Sequence, residues 1–456
     1  MLCKRIEAEG IAHYSYLIGD DGEAAVIDPR IDCGVYLAQT GPSGYRLLHI
    51  FETHRHEDFV LGSAALAART GAAIWHADAQ WEYRYGTPSR DGQTWRIGRL
   101  TLRAIHCPGH TPGSISYLLA DPDGVPWMVF TGDALFAGDV GRVDLLGMDQ
   151  APALAGQLYD TLFGKLLPLG DGVIVCPAHG SGSVCAGGIG ERPWTTIGLE
   201  RLHNPKLRWQ DRGAFIAHVA SKLERPPYFR RMERFNLDGA TVPETVAAPR
   251  SVAEFARLSR EAIVLDTRTV LAFGASHIPG ALSIWAAGLP SFAGWFLPDD
   301  RPLLLVNDAD DPAPVSRALM RLGFTDVAGC LSGGMLAWHM AGRESEAVAT
   351  VTVQSLCAEL DAGGERWILD VRGTGELEHT GLIPGAHHIH VTELPARLEE
   401  VPRDRRVTIF CGSGLRSMIA ASLLRREGWR DVAVVLGGIA GWHSVSCPIR
   451  RGHGPG

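Results

Sequence analysis

The chain has 456 residues, 46% of them hydrophobic and 21% charged, with a formal net charge of −8. At roughly 100–200 residues per domain that length implies two to four domains, and the negative balance argues against a nucleic-acid partner, which takes a basic face. Arginine pairs such as Arg405–Arg406 and Arg425–Arg426 form no longer run of like charge. The N-terminus reaches Glu7 and Glu9 before the apolar stretch of a secretory signal could begin. The segment "VLGSAALAARTGAAIW" is broken by Arg69, well short of the about 18 uncharged apolar residues that a membrane span takes. A cytoplasmic protein with no membrane partner is expected. Nine cysteines, at 3, 33, 107, 176, 185, 330, 357, 411 and 447, are odd in number and scattered without paired spacing, so reduced thiols are expected.

Short β runs open the chain: "YSYLIGD", "AAVIDP" and "LLHIFET", then an alanine-rich helix. The runs "AAIWHAD", "LTLRAIHCPGH", "SISYLLAD", "WMVFTGD" and "GVIVCPAHG" follow. Histidines and aspartates stand where these strands end, where irregular backbone can aim side chains into a shared cleft. They are His54, His56 and Asp58 in "THRHED", His110 in "GHTPGS", Asp133 in "TGD" and His179 in "PAHG". One such residue alone is more often structural, but six in this order at successive strand ends favour a metal site. His106 and Cys107, ahead of the "PGHTPG" turn, read as structural. After Gly190 the pattern turns helical and polar, and "LDGATVPETVAAPRS", at 237–251, reads as a linker.

The second half repeats itself. "VLDTR" at 264–268 returns as "ILDVR" at 368–372, "IPGA" at 278–281 returns at 383–386, and the "GGMLAW" ending at Trp338 returns as the "GGIAGW" ending at Trp442. The spacing is 104 or 105 each time, which means two tandem copies of one α/β domain with a parallel sheet covered on both faces. The last copy contains "IFCGSGLRSMIAASLL": a strand ending at Cys411, a glycine-rich turn, and a helix beginning near Arg416 and Ser417. Convergent N–H groups, a helix N-terminus and the Arg416 cation all favour a nucleophilic thiolate at Cys411. Shifting by 104 puts Asn307 where Cys411 stands and Pro312 where Arg416 stands. The first copy therefore offers aspartates 308, 310 and 311 in place of a thiol and a cation, and reads as catalytically silent, a spacer or docking surface.

"THRHED", "GHTPGS", "TGD" and "PAHG" resemble the metallo-β-lactamase superfamily, a four-layer αββα sandwich with metal at one edge of its two sheets. "GDVGRVDL" at 138–145 and "PWTTIGLERLHNP" are similar to a narrower branch, the persulfide dioxygenases. That resemblance implies one Fe(II) in the dioxygenase domain, held by His54, His110 and Asp133. Two imidazoles and a carboxylate on one side of an iron leave up to three positions for dioxygen and substrate. Two-metal hydrolases with this run place a histidine where this chain has Phe59; a phenyl ring has no lone pair, so a second cation lacks a ligand. His56, Asp58 and His179 then orient the ligands and bound water. Arg142 is a candidate for holding an anionic substrate, with an ion pair to Asp144 as the alternative.

"CGSGLRS", with "ILDVR", "IPGA" and "GGIAGW" around it, resembles the rhodanese family of sulfurtransferases. This implies a persulfide carried on Cys411 in a cradle of Gly412, Ser413, Gly414 and Leu415, with Arg416 alongside, and a framework role for Asp370 and Arg372. The whole chain resembles the fused persulfide dioxygenase–rhodanese proteins of bacterial sulfide detoxification. The implied fold class is α/β and α+β multidomain: a sandwich at 1–240, a rhodanese-like copy without its cysteine at 248–346, and an active copy at 350–450. The implied chemistry is oxidation of a low-molecular-weight thiol persulfide, such as glutathione or coenzyme A persulfide, by O2 to sulfite and thiol. Sulfur transfer through Cys411 then forms or consumes thiosulfate. A homo-oligomer is compatible with the resemblance. Two other readings use the same residues: a zinc thioesterase of the glyoxalase-II type with a sulfurtransferase appendage, and a sulfur-relay protein with an inert metal domain. Phe59 and the rhodanese partner count against the first.

Overall fold

In the computed structural model, residues 1–223, 225–241, 246–308, 311–363, 366–445 and 447–449 are described, and the chain divides into two units. Part of the expected linker, 242–245, and one of the three expected aspartates, Asp310, lie outside the described residues.

The first unit, Met1–Glu244 with Arg317–Thr325, is built on two six-stranded sheets. One runs in chain order through Leu2–Ala8, His13–Asp20, Glu23–Ile27, Arg46–Phe51, Ala73–His76 and Thr87–Pro88. The other runs from Thr195–Thr196 through Ile174–Pro177, Pro126–Gly132, Ile115–Ala120 and Leu100–His106 to Thr94–Ile97. Because side chains alternate across a strand, Tyr117 and Leu119 face inward while Leu118 faces outward. The inner pair joins Tyr16, Ile18, Ile27, Phe51, Leu102 and Phe130 in the core between the sheets. Leu118 and Val129 instead meet Leu154, Leu158 and Phe215 of the helices Ala151–Thr161 and Arg212–Val219. On the first sheet, the helix Ser63–Thr70 covers Arg46–Phe51 and Ala73–His76. The result is the αββα sandwich. Its metal-candidate residues all follow strand ends: Phe51, His106, Gly132 and Pro177 each close a strand shortly before His54, His110, Asp133 and His179.

The segment Arg317–Thr325 groups with this first unit. Arg321 gives the reason. Its guanidinium makes a two-pronged pair with buried Asp32 at 3.2 and 2.8 Å, and its carbonyl accepts from the Val60 N–H at 2.9 Å.

The second unit contains two five-stranded, wholly parallel sheets with one topology. Their orders are Pro249–Arg250, Val327–Leu331, Leu303–Val306, Ile263–Asp266, Leu282–Ser283, and Ala349–Thr352, Val432–Leu436, Val407–Phe410, Trp367–Asp370, His387–His388. The repeat read from the sequence extends to side-chain detail. Asp266 pairs with Arg268 at 2.7 Å as Asp370 pairs with Arg372 at 2.6 Å, all four buried. Trp338 donates to the Glu344 carbonyl as Trp442 donates to that of Pro448. A buried ion pair is tolerated when its partners satisfy each other, as Asp370 and Arg372 do.

The expectation of reduced thiols is corrected at one pair: Cys357 and Cys447 form a disulfide, with Cα atoms 6.0 Å apart across 90 residues of sequence. Folding brings the helix Val353–Asp361 and the segment after the helix Gly438–Ser444 together, a juxtaposition that spacing alone does not reveal. A crosslink over a loop of that length stabilises by roughly 2–4 kcal/mol. Replacing Cys447 with serine should therefore lower the unfolding midpoint of the second unit in calorimetry. Equal midpoints for the variant and the oxidised protein would show that the bond contributes nothing.

Candidate metal centre and sulfur-transfer loop

Three buried side chains converge at the sheet edge of the first unit. Asp133 Oδ2 lies 3.6 Å from His54 Nε2 and 3.4 Å from His110 Nε2, and none of these three atoms has a hydrogen-bond partner among the described residues. Each side chain is pinned through its other polar atom. Thr53 Oγ1 donates to Asp28 Oδ2 at 2.7 Å, so at 3.0 Å it can only accept from His54 Nδ1–H. His110 Nδ1 faces the Arg142 carbonyl at 2.9 Å, which fixes its proton on that nitrogen too. Both Nε2 lone pairs therefore point at Asp133. Burial lowers the pKa of both rings, well below the ordinary value in the case of His54, which keeps those lone pairs open. Gly132, at φ +54°, makes the turn that presents Asp133; a Cβ there would collide with Thr53.

His179 bridges two carboxylates, with Nδ1 2.8 Å from Asp133 Oδ1 and Nε2 2.9 Å from Asp58 Oδ2. Burial alone would discharge the ring, yet Asp133 and Asp58 hold its pKa well above the ordinary value. In turn, burial would raise Asp133, but the His179 charge keeps that carboxyl well below its usual range. His179 and Asp58 thus orient Asp133 from behind. His56 sits to one side, its Nε2 3.3 Å from Asp28 Oδ1, and its carbonyl accepts from Asn236. Phe59 is fully buried, its ring centroid 3.9 Å from that of His13 and 4.6 Å from that of His56. The ring fills the space beside His56 with hydrocarbon.

Arg142 is buried and paired with Asp144. Its guanidinium grips Asp144 at 2.7 and 2.9 Å and also donates to the Val184 and Leu223 carbonyls. The residue borders a cavity of about 340 Å³, but what it contributes to the ligand cluster is its backbone carbonyl on His110. Two residues at the cluster escaped the sequence reading. Glu57 offers a carboxylate oxygen within 4.8 Å of ligand atoms of His54 and His110, and Cys185 a sulfur likewise placed against His110 and Asp133. The only available signals were an acid inside the histidine run and a cysteine in the glycine-rich stretch after "PAHG".

In the second unit the strand Val407–Phe410 delivers Cys411, which is buried. The Gly414 N–H donates to Cys411 Sγ at 3.1 Å, at the head of the helix Leu415–Arg426. A second helix start braces the loop from the other side: the Ile439 N–H donates to the Cys411 carbonyl at 2.9 Å. Gly438, at φ +49°, allows that approach, since a Cβ there would overlap the same carbonyl. The Arg416 cation beside the loop is paired. Both ends of its guanidinium bind Glu376, with Nη2 2.7 Å from Oε1, and these hydrogen bonds hold Glu376 down to about 2. The cause is local: Glu376 is the third residue of the helix Thr374–Thr380 and turns back to accept from the Gly373 N–H, which brings it to the loop. Gly412 sits beside this pair, so the cradle is walled by an ion pair. In the first copy the equivalent strand, Leu303–Val306, delivers Asn307.

Comparison with known proteins agrees with this division. The Metallo-beta-lactamase superfamily matches residues 8–179 and the Rhodanese-like domain matches 251–341 and 352–445. Persulfide dioxygenase ETHE1, mitochondrial, of Bos taurus is 31% identical over 203 residues, 42% of this chain and 71% of that protein. Hydroxyacylglutathione hydrolase GloC of Haemophilus influenzae is 28% identical over 218 residues, 42% of this chain and 91% of its own length. A solved metallo-beta-lactamase structure from Staphylococcus aureus covers 73% of this chain and 98% of its own at 28% identity, with a TM-score of 0.64. The paired histidines, the aspartate at the sheet edge and the doubled parallel sheets thus have one common account. The chain belongs to the metallo-β-lactamase superfamily as an ETHE1-related domain fused to two rhodanese-like domains.

Proposed function

We propose that the first unit is a non-haem Fe(II) persulfide dioxygenase, one iron being held by His54, His110 and Asp133, and that Cys411 is the carrier of a coupled sulfurtransferase. The carrying observation is the set of facing, buried, unpartnered atoms on those three residues, a donor set suited to Fe(II). Phe59 supports a single metal, because the space beside His56 is filled by a ring that cannot coordinate. Iron bound there supplies a redox centre with open positions at which dioxygen and a sulfur anion can meet.

The overall reaction converts a thiol persulfide, dioxygen and water into thiol, sulfite and two protons. The terminal sulfur gives up four electrons and dioxygen takes four. Within the chain, Thr53 and the Arg142 carbonyl hold the two imidazoles with their lone pairs inward, and His179 holds Asp133 turned toward them. Those fixed partners remove the reorganisation that loose ligands would require. At the second site, Cys411 attacks the outer sulfur of a persulfide and releases the thiol. Sulfite then attacks that sulfur, the S–S bonding pair returns to Cys411, and thiosulfate leaves. The Gly414 N–H stabilises the charge on the Cys411 sulfur, and the Glu376–Arg416 pair borders the entry. The same residues serve the reverse direction. On this reading the chain detoxifies sulfide in the cytoplasm, with glutathione or coenzyme A persulfide as substrate, and the middle copy is a silent spacer.

The likeness to GloC supports one rival, a zinc thioesterase on the same ligands. Oxygen consumption separates the two, since hydrolysis uses none. Replacing His110 with alanine should reduce oxygen uptake with glutathione persulfide by more than about 100-fold, given that even outer residues of metal sites cost 10–100-fold; unchanged uptake would end the dioxygenase reading. Cys411→Ser should leave oxygen uptake intact while the product changes from thiosulfate to sulfite, as read by ion chromatography. Thiosulfate forming at the normal rate would remove Cys411 from the pathway.

A further inference from the structure

Glu57 is the residue of the metal cluster that neither its motif nor its neighbours account for. It lies 1% exposed in the run His54–Arg55–His56–Glu57, and neither carboxylate oxygen has a hydrogen-bond partner. Burying a carboxyl in that condition is costly unless something binds it. The nearest cation is Arg55, whose Nη2 stands 3.5 Å from Oε1, beyond a good hydrogen bond, and is closer to Glu233 at 3.1 Å. The other oxygen, Oε2, lies 3.9 Å from His110 Nε2. His54, Glu57 and His110 each present a ligand atom within 4.8 Å of the others. Glu57 thus approaches His54 and His110, Asp133 Oδ2 faces the same two histidine nitrogens, and each of the four residues carries a buried atom without a hydrogen-bond partner among the described residues.

We infer that Glu57 is a fourth protein ligand, making the donor set two imidazoles and two carboxylates. The inference rests on the metal being held by His54, His110 and Asp133. Its chemical consequence is specific. Two negative charges balance a divalent cation, which strengthens retention, and up to two positions rather than three stay open, enough for dioxygen and one sulfur anion. It also explains why a buried acid with no hydrogen bond is present, since the metal supplies the missing partner.

The test is anaerobic release of Fe(II) into a strong chelator from the iron-loaded full chain, comparing wild type, Glu57→Ala, Glu57→Gln and His110→Ala, with unfolding midpoints of each metal-free form. Glu57→Ala should release iron about 10–100-fold faster than wild type, with Glu57→Gln between the two. The metal-free variants should unfold at or above the wild-type midpoint, because a buried carboxyl without a hydrogen-bond partner has gone. Release within twofold of wild type from either Glu57 variant overturns the fourth ligand while leaving the three-residue site intact, provided His110→Ala loses iron. If His110→Ala also keeps its iron, the three-residue site itself is wrong. Metal-free Glu57 variants that unfold well below wild type, with no change in the midpoint shift produced by added iron, would assign Glu57 to structure alone and equally overturn the inference.

Discussion

The first unit depends on a constraint that is simple to state: His54, His110 and Asp133, buried at the sheet edge, each have one end tied and one end open. Thr53 ties His54, the Arg142 carbonyl ties His110, and His179 ties Asp133. The untied ends face one another across less than 4 Å without a hydrogen bond among them. A folded protein tolerates that arrangement only when something else satisfies those atoms, and a cation satisfies all of them together. Most of the surrounding polar structure exists to hold the tied ends, from the Asp28–Thr53 hydrogen bond to the Asp58–His179 pair.

The second unit solves a different problem, namely how to hold a cysteine at a buried strand end. Two helix starts meet at the loop. One donates to Cys411 sulfur through Gly414, and the other draws away the Cys411 carbonyl through Ile439. The duplicate shows what is structural in this design. Its buried Asp266–Arg268 pair and its Trp338 hydrogen bond match those of the active copy, while the strand end carries Asn307. The framework pairs thus persist in a copy whose strand end carries no cysteine.

Much of this was legible in the sequence. Strand-end histidines and aspartates can be read because apolar runs stop at polar turn residues, and the tandem copies because three landmarks share one offset. Phe59 was readable because a phenyl ring excludes coordination whatever surrounds it. What escaped were relations set by tertiary placement. The two-pronged grip of Arg142 on Asp144 and its bonds to the Val184 and Leu223 carbonyls depend on how distant segments fold together. Glu376 lies 40 residues from Arg416, and no periodicity links them. Cys357 and Cys447 meet only after the last helix returns to the helix Val353–Asp361. Glu57 occupies a slot between recognisable ligands, where its identity carries meaning only once its carboxylate is seen to be buried and unpartnered.

The central claim is that a lone iron, gripped from one side, lets a sulfur anion and dioxygen react. Metal content of the active protein, measured together with oxygen consumed per sulfur oxidised from a defined glutathione persulfide, tests it most directly. The account predicts a single iron per chain and one dioxygen per sulfite equivalent formed. Two zinc ions per chain, with turnover that proceeds equally well in the absence of air, would contradict it.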